Sequence, residues 1–228
     1  MTIEEMHQWI DIIVDKVGSP YFTDNEKDLA IQRAEIKFVN GFFNRLIDTH
    51  NAENTSVDED MIYPLIEAVE VDSNPKGSIK FSDINTAIDT LKNDGNTYKF
   101  MYILRVEQGA LNCATTGAYY PSRFVRHNDR GRLEANYFKM STSTDPSHSY
   151  LSDSLSVYPK DRNSSARITL VRYPLKVYKA QSQEETSVNS ELPDLTHNAI
   201  LYSALEYLGI AIRENDFYQM VGGSAMKE

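Results

Sequence analysis

The chain has 228 residues, of which 41% are hydrophobic, 25% charged and 11% aromatic, a composition typical of a globular protein with a sizeable core. Its formal net charge of -10 argues against a broad affinity for nucleic acid phosphates, which depends on clustered Lys and Arg. The single cysteine, Cys113, excludes an intrachain disulfide and a cysteine-based zinc cage.

The N-terminal stretch MTIEEMHQWIDIIVDKV has acidic residues where a signal peptide has basic ones. No apolar run approaches the roughly 18 residues that a membrane-spanning helix needs. We therefore expect a chain without a membrane segment that is made and folds in a cytoplasm.

Two helices are predicted at the N-terminus, each opened by a capping box. Thr2 with Glu5 starts the first helix, and GSP at 18–20 ends it. Thr23 with Glu26 starts the second, which runs to about Asp48. The apolar residues of the first helix fall within an arc of about 100°, and those of the second spread over roughly 220°. The second helix is therefore expected to have neighbours on two sides.

The middle of the chain changes to short runs of β-branched and aromatic residues separated by turn signals. LIEAVEV and GSIKFS are predicted to form a hairpin, and the stretch SDINTAIDTLKND a short amphipathic helix. YKFMYILRVE and GALNCATTGAYYP are predicted as strands paired about a tight turn at Gln108 and Gly109.

Further along, NDRGRLEANYFK predicts a short helix capped at Asn128 or Asp129. SLSVYP and ARITLVRYPLKVYK predict two more strands, the second interrupted or placed at a sheet edge at Pro174. Residues 51–179 are thus expected to form a β-rich domain, and the polar stretch at 180–191 is expected to be a linker.

The helix predicted over 192–214 is apolar over about 240° of its circumference. One surface for it is a bundle with the two N-terminal helices, so residues 1–50 and 192–214 form a discontinuous helical domain that carries the β-rich insertion. The second surface is either the insertion or another copy of the chain. Ile200, Tyr207 and Ile210 are the candidate interface residues on this helix. The predicted fold class is α+β.

Residues 215–228 follow this helix and contain the apolar anchors Phe217, Tyr218 and Met220. An extended segment of this composition is suited to docking on a neighbouring subunit or on another protein of an assembly. The alternative is a tail folded back on its own bundle.

A search for catalytic and ligand-binding motifs finds none. The five histidines are isolated, without the spacing that brings two ligands to one metal, and each is expected at the surface or at a helix cap. Phosphate-binding glycine loops and a nucleophile elbow are absent from the sequence. We predict no enzymatic activity, no cofactor and no metal.

One local segment is basic in this acidic chain. Arg123, Arg126, Arg130, Arg132 and Lys139 outnumber the acidic residues around them, with aromatic residues interleaved. The segment is either a docking patch for an acidic protein surface or nucleic acid backbone, or a solvated face with intramolecular ion pairs.

Three stretches carry a resemblance to a known family: RFVRHNDRGRLEANYFK, LSVYPKDRNSSARITLVRYPLKV and ELPDLTHNAILYSALEYLG. With the helical ends and the β-rich middle, they resemble the head-to-tail connector proteins, or neck rings, of short-tailed bacteriophages, including crAss-like phages. The resemblance implies a dodecameric ring in the virion neck, without catalytic residues.

Such a ring binds the portal protein and other neck or tail rings, and it lines part of a channel through which DNA passes without specific binding. Two other functions stay open on the residues alone. One is a monomeric intracellular interaction domain, and the other is a small enzyme without a recognisable motif.

Overall fold

The structure is a computed structural model. It describes residues 1–17, 22–48, 61–73, 77–109, 119–136, 140–142, 144–159, 165–182 and 185–212. Within them lie five α-helices and eight strands, with helices at both ends of the chain and the strands between them, which confirms the predicted α+β class. Among these residues no helix combines the length and the apolar character needed to cross a bilayer.

The chain divides into two compact units. The helical unit comprises Met1–Leu65 and Pro174–Glu228, and the strand unit comprises Ile66–Tyr173. Residues 174–191 thus belong to the helical unit, whereas the sequence placed them at the end of the β-rich domain and in a linker.

The helical unit is built on α1 (Ile3–Val17), α2 (Asp24–Asp48) and α5 (Asp194–Ile212). Both predicted capping boxes form. The Thr2 amide donates to Glu5 Oε2 at 2.8 Å while the Glu5 amide donates to Thr2 Oγ1 at 3.2 Å. The Thr23 and Glu26 pair repeats this pattern at 2.8 and 3.3 Å. Each box satisfies amides that have no partner within the helix.

The three helices pack on one another, α5 contacting both α1 and α2. Their shared core is made of fully or almost fully buried apolar side chains: Ile3, Met6, Ile10, Ile31, Ala34, Val39, Ile200, Ala204 and Leu205. Burial of these side chains is the main force that holds the first 50 residues to the end of the chain.

The segment from Pro174 to α5 forms hydrogen bonds within itself and with α1 and α2. Tyr178 and Val188 form an antiparallel bridge, with N–O distances of 3.2 and 2.9 Å. Gln32 Nε2 on α2 donates to the Val177 carbonyl at 2.9 Å, and the Ile3 amide donates to Asn189 Oδ1 at 2.8 Å. The residues predicted as a linker are therefore a structural part of the helical unit.

The strand unit contains two four-stranded sheets. The first has the order β1 (Ile66–Asp72), β8 (Ser165–Arg172), β3 (Phe100–Gly109), β4 (Tyr119–Pro121), all antiparallel. The second has the order β2 (Ser78–Lys80), β7 (Ser154–Tyr158), β6 (Ser147–Tyr150), β5 (Arg123–Phe124), with β5 parallel to β6 and the other pairs antiparallel. The predicted helix in this region is α3 (Phe81–Lys92), which buries Ile84 and Ile88.

One predicted strand pairing is wrong, and a second, between β3 and β4, forms without its predicted turn. The hairpin predicted from LIEAVEV and GSIKFS does not form, because β1 pairs with β8 and β2 pairs with β7 in the other sheet. The tight turn predicted at Gln108 and Gly109 is the end of β3, where these residues pair with Tyr120 and Tyr119.

Gly109 has a packing role instead of a turn role. A Cβ atom added there would lie 3.0 Å from Ser165 Oγ and 3.2 Å from the Ser165 carbonyl oxygen, so a larger residue would require Ser165 to shift by a few tenths of an ångström. The last predicted strand is interrupted before Pro174, as one of the two alternatives predicted, since β8 ends at Arg172; β8 lies inside the first sheet and not at its edge.

Candidate assembly surfaces

The exposed side of α5 differs from the one predicted. Ile200, a predicted interface residue, is 0% exposed and belongs to the core of its own bundle, so it is not available to a second chain. Tyr207 is half-buried against α2, and the side chain of Ile210 lies outside the described part of the structure. The reason is that α2 and α1 cover most of the apolar arc, including its centre.

A narrower apolar stripe on α5 remains exposed. Leu195 is 86% exposed and Tyr202 47%, and Ala199 between them is also exposed. The spacing of four and then three residues places the three side chains on one face of the helix. We call Leu195, Ala199 and Tyr202 the α5 stripe.

A similar stripe lies on α1. Glu5, Trp9 and Ile12 follow the same spacing and are all exposed, with Trp9 50% exposed. We call these three residues the α1 stripe. It combines a carboxylate, a tryptophan and an isoleucine, which makes it both acidic and apolar.

A shallow groove of about 520 Å³ runs between α2 and α5, lined by Arg33, Ile36, Lys37, Asn40, Gly41 and Tyr207. Lys37 Nζ lies 2.6 Å from Glu206 Oε2 and 5.5 Å from the centroid of the Tyr207 ring. Tyr207 therefore lies beside a cation that already has an acidic partner.

The predicted basic segment lies at one end of the second sheet. Arg123 is on β5, Arg126 precedes a 3₁₀ turn at His127–Asp129, and Arg130 and Arg132 are on α4 (Arg130–Glu134). The 3₁₀ turn replaces the predicted helix start, and it has no side-chain cap. We call these four arginines the basic patch.

The arginines of the basic patch differ in their contacts. Arg123 lies 3.8 Å from Asp145, at the limit of an ion pair, and the Arg130 guanidinium stacks 3.8 Å from the centroid of the Tyr158 ring. Arg126 and Arg132 are exposed, and neither forms an ion pair within the part of the chain that the structure describes.

An aromatic cluster adjoins the basic patch. Phe124, His148 and Tyr150 have ring centroids 5.4 to 5.7 Å apart, brought together by the parallel pairing of β5 with β6. Phe124 is 53% exposed and Tyr150 is exposed, while His148 is buried. Burial lowers the pKa of His148 to about 4, although hydrogen bonding to Ser122 partly opposes this, so the ring is neutral at physiological pH. The cluster is therefore an uncharged aromatic surface beside four arginines.

A buried ionic cluster joins α1 to α2. His7 Nε2 lies 2.8 Å from Asp28 Oδ1 and His7 Nδ1 lies 3.3 Å from Asp24 Oδ1. Burial raises the pKa of Asp28, which His7 partly offsets; for Asp24, Lys179 and His7 outweigh the effect of burial and lower the pKa. Lys27, also buried, lies 2.6 Å from Asp11.

The histidine prediction is wrong for three of the five. His7, His148 and His197 are buried, His127 is exposed, and His50 lies outside the described residues. The sequence around each histidine contains no motif that predicts burial, because the partners of the buried histidines are set by tertiary contacts. Among the described residues no group of three or more His, Cys, Asp or Glu is arranged to hold a metal ion.

The predicted arm residues Phe217, Tyr218 and Met220, like Lys139 of the basic segment, lie outside the described part of the chain. The sequence matches no protein-family model, and no curated protein matches it significantly.

Proposed function

We propose that this chain is a virion structural protein that forms a ring connecting the head of a short-tailed phage to its tail. The observation that carries the proposal is the α5 stripe, an apolar helix face left exposed on a chain with a net charge of -10. The three stretches that resemble neck-ring proteins are the reason for proposing that the partner of this stripe is another subunit of a neck ring.

Burial of the α5 stripe favours association. Complete burial of one leucine side chain stabilises by roughly 1.5–3 kcal/mol, and Leu195 is almost fully exposed in the single chain. A helix face with apolar residues at these spacings packs into a groove or against another helix of a partner. In a ring every copy makes the same contact, so a small stabilisation per contact is multiplied by the number of copies.

The remaining partners of the proposed ring follow from its position. One face meets the portal protein and the other meets the next neck or tail ring. The ring encloses part of the channel, and an acidic wall favours DNA movement because like charges do not bind each other.

The mass of the purified full chain tests the proposal. Native mass spectrometry and light scattering, with and without a candidate portal protein, should give multiples of 26.0 kDa. Leu195→Ser combined with Tyr202→Ser should abolish assembly and leave the circular dichroism spectrum unchanged. Leu91→Ser, at an exposed leucine of α3, is the matched control and should assemble normally.

A single species of 26.0 kDa under both conditions would overturn the proposal and favour a monomeric interaction domain.

A further inference from the structure

The net charge of the chain is divided unequally between its two units. The helical unit contains 9 Lys and Arg against 21 Asp and Glu, a formal charge of -12. The strand unit contains 14 Lys and Arg against 12 Asp and Glu, a formal charge of +2. The net negative charge of the chain therefore comes entirely from the helical unit, and the strand unit is slightly positive.

We propose that the basic patch and Phe124 in the strand unit of one copy dock on the α1 stripe in the helical unit of a second copy. The inference rests on the proposed function, because it names a second pair of surfaces, besides the α5 stripe, through which copies of the ring protein meet.

The strand-unit side has the residue types that dominate protein interfaces. Arginine and aromatic side chains are enriched at the centres of such surfaces. Here Phe124 and Tyr150 are exposed beside Arg126 and Arg132, which form no ion pair among the described residues. The acidic neighbours include Asp129 and Glu134 along the chain and Asp145, whose carboxylate lies 3.8 Å from Arg123, so the four arginines outnumber them. The surface therefore has positive charge available for an acidic partner.

The α1 stripe complements the basic patch in charge and in the types of side chain it exposes. Trp9 and Ile12 supply exposed apolar area, and Glu4 and Glu5 place two carboxylates at the start of the same helix. Arginine also stacks favourably on the face of a tryptophan ring. Positive and aromatic groups on one side thus meet acidic and aromatic groups on the other.

The two surfaces are different, so the contact is heterologous. Each copy offers its basic patch to one neighbour and its α1 stripe to the other, which is the kind of contact that a closed ring of identical copies repeats. The α5 stripe is a separate surface, on another helix of the helical unit.

A charge-swap experiment on the full chain tests this contact. The patch variant carries Arg126→Glu and Arg132→Glu. The stripe variant carries Gln8→Lys and Ile12→Lys, two exposed positions of α1 that lie outside its capping box. Each variant alone brings like charges together and should weaken assembly about tenfold or more. Mixing them restores opposite charges at every contact, so the mixture should assemble into alternating rings.

The matched control is Lys80→Glu with Lys99→Glu, which changes the charge of the strand unit equally at two exposed lysines away from the basic patch. It should assemble like the wild type. Thermal melting of each variant, followed by circular dichroism, checks that the fold is intact.

The outcomes separate the two proposals. If the wild type is monomeric with and without portal protein, the proposed ring fails. If the wild type assembles and both variants assemble equally well, or if mixing does not restore assembly, the docking of the patch on the α1 stripe is wrong. If the patch variant assembles normally but no longer binds a DNA duplex that the wild type binds, the basic patch is a nucleic acid site and the inference is also wrong.

Discussion

Glu35 of α2 is a buried carboxyl group that should make the stability of the helical unit depend on pH. Its side chain is fully buried in the helical unit, near Ser190 and the carboxylate of Glu191. Burial raises its pKa to about 7; the carboxylate of Glu191 adds to the rise, and the Ser190 hydroxyl opposes it.

The direction of the effect follows from proton binding. In the unfolded chain the Glu35 carboxyl loses its proton near 4.5, whereas in the folded chain it keeps the proton to about 7. The folded state therefore binds more protons between these values, and its stability falls as pH rises through them. At 1.36 kcal/mol per pKa unit, the loss is about 3 kcal/mol, complete above pH 7.

Glu35→Gln tests this prediction, because the amide resembles the protonated carboxyl and does not titrate. Urea denaturation followed at 222 nm should give similar stabilities for variant and wild type at pH 5. At pH 8 the variant should be more stable by about 3 kcal/mol. Glu185→Gln, at an exposed carboxylate of the same unit, is the control and should track the wild type.

Glu191→Gln tests the cause more closely. It removes the neighbouring charge while leaving an oxygen to accept from the Leu175 amide, which lies 2.8 Å from Glu191 Oε2. The loss of stability should then move to lower pH. A carbon-13 titration of the Glu35 carboxyl with a midpoint near 4.5, or a stability difference for Glu35→Gln that is the same at pH 5 and pH 8, would refute the reasoning.

Three further predictions concern the helical unit and are measured by urea denaturation at pH 7. His7→Leu leaves the buried Asp28 with only the long hydrogen bond from the Lys179 amide among the described residues and should cost about 3 kcal/mol, and His7→Gln should cost less because the amide keeps one hydrogen bond. Thr23→Ala removes the cap of α2 and should cost about 1 kcal/mol, most of which Thr23→Ser restores. Ile200→Ala should cost about 3 kcal/mol as a core cavity, whereas Tyr202→Ala should change stability by less than about 0.5 kcal/mol; equal effects would contradict the assigned faces of α5.

The starts of the helices could be predicted from the sequence because the interactions that set them are local. Thr2 and Glu5, like Thr23 and Glu26, are three residues apart and bond to each other's amides. The α+β class was also predictable, since apolar periodicity distinguishes the helical ends of the chain from the strands of its middle.

Strand partners could not be predicted in the same way. The alternation of side chains shows that Ile66–Asp72 is a strand, but it contains nothing that selects β8 over the nearby β2. That choice depends on pairing between residues far apart in the sequence, such as Val69 with Ile168, which forms only as the chain folds.

The candidate surfaces were likewise predictable only in part from the sequence. The excess of arginine between 123 and 132 is visible in the sequence, and so is the wide apolar arc of α5. Tertiary structure alone decided that Ile200 is core and Leu195 is surface, because exposure depends on which side of the helix α1 and α2 cover. It also decided that Phe124, His148 and Tyr150 form one cluster, since the parallel pairing of β5 with β6 joins residues that are distant along the chain.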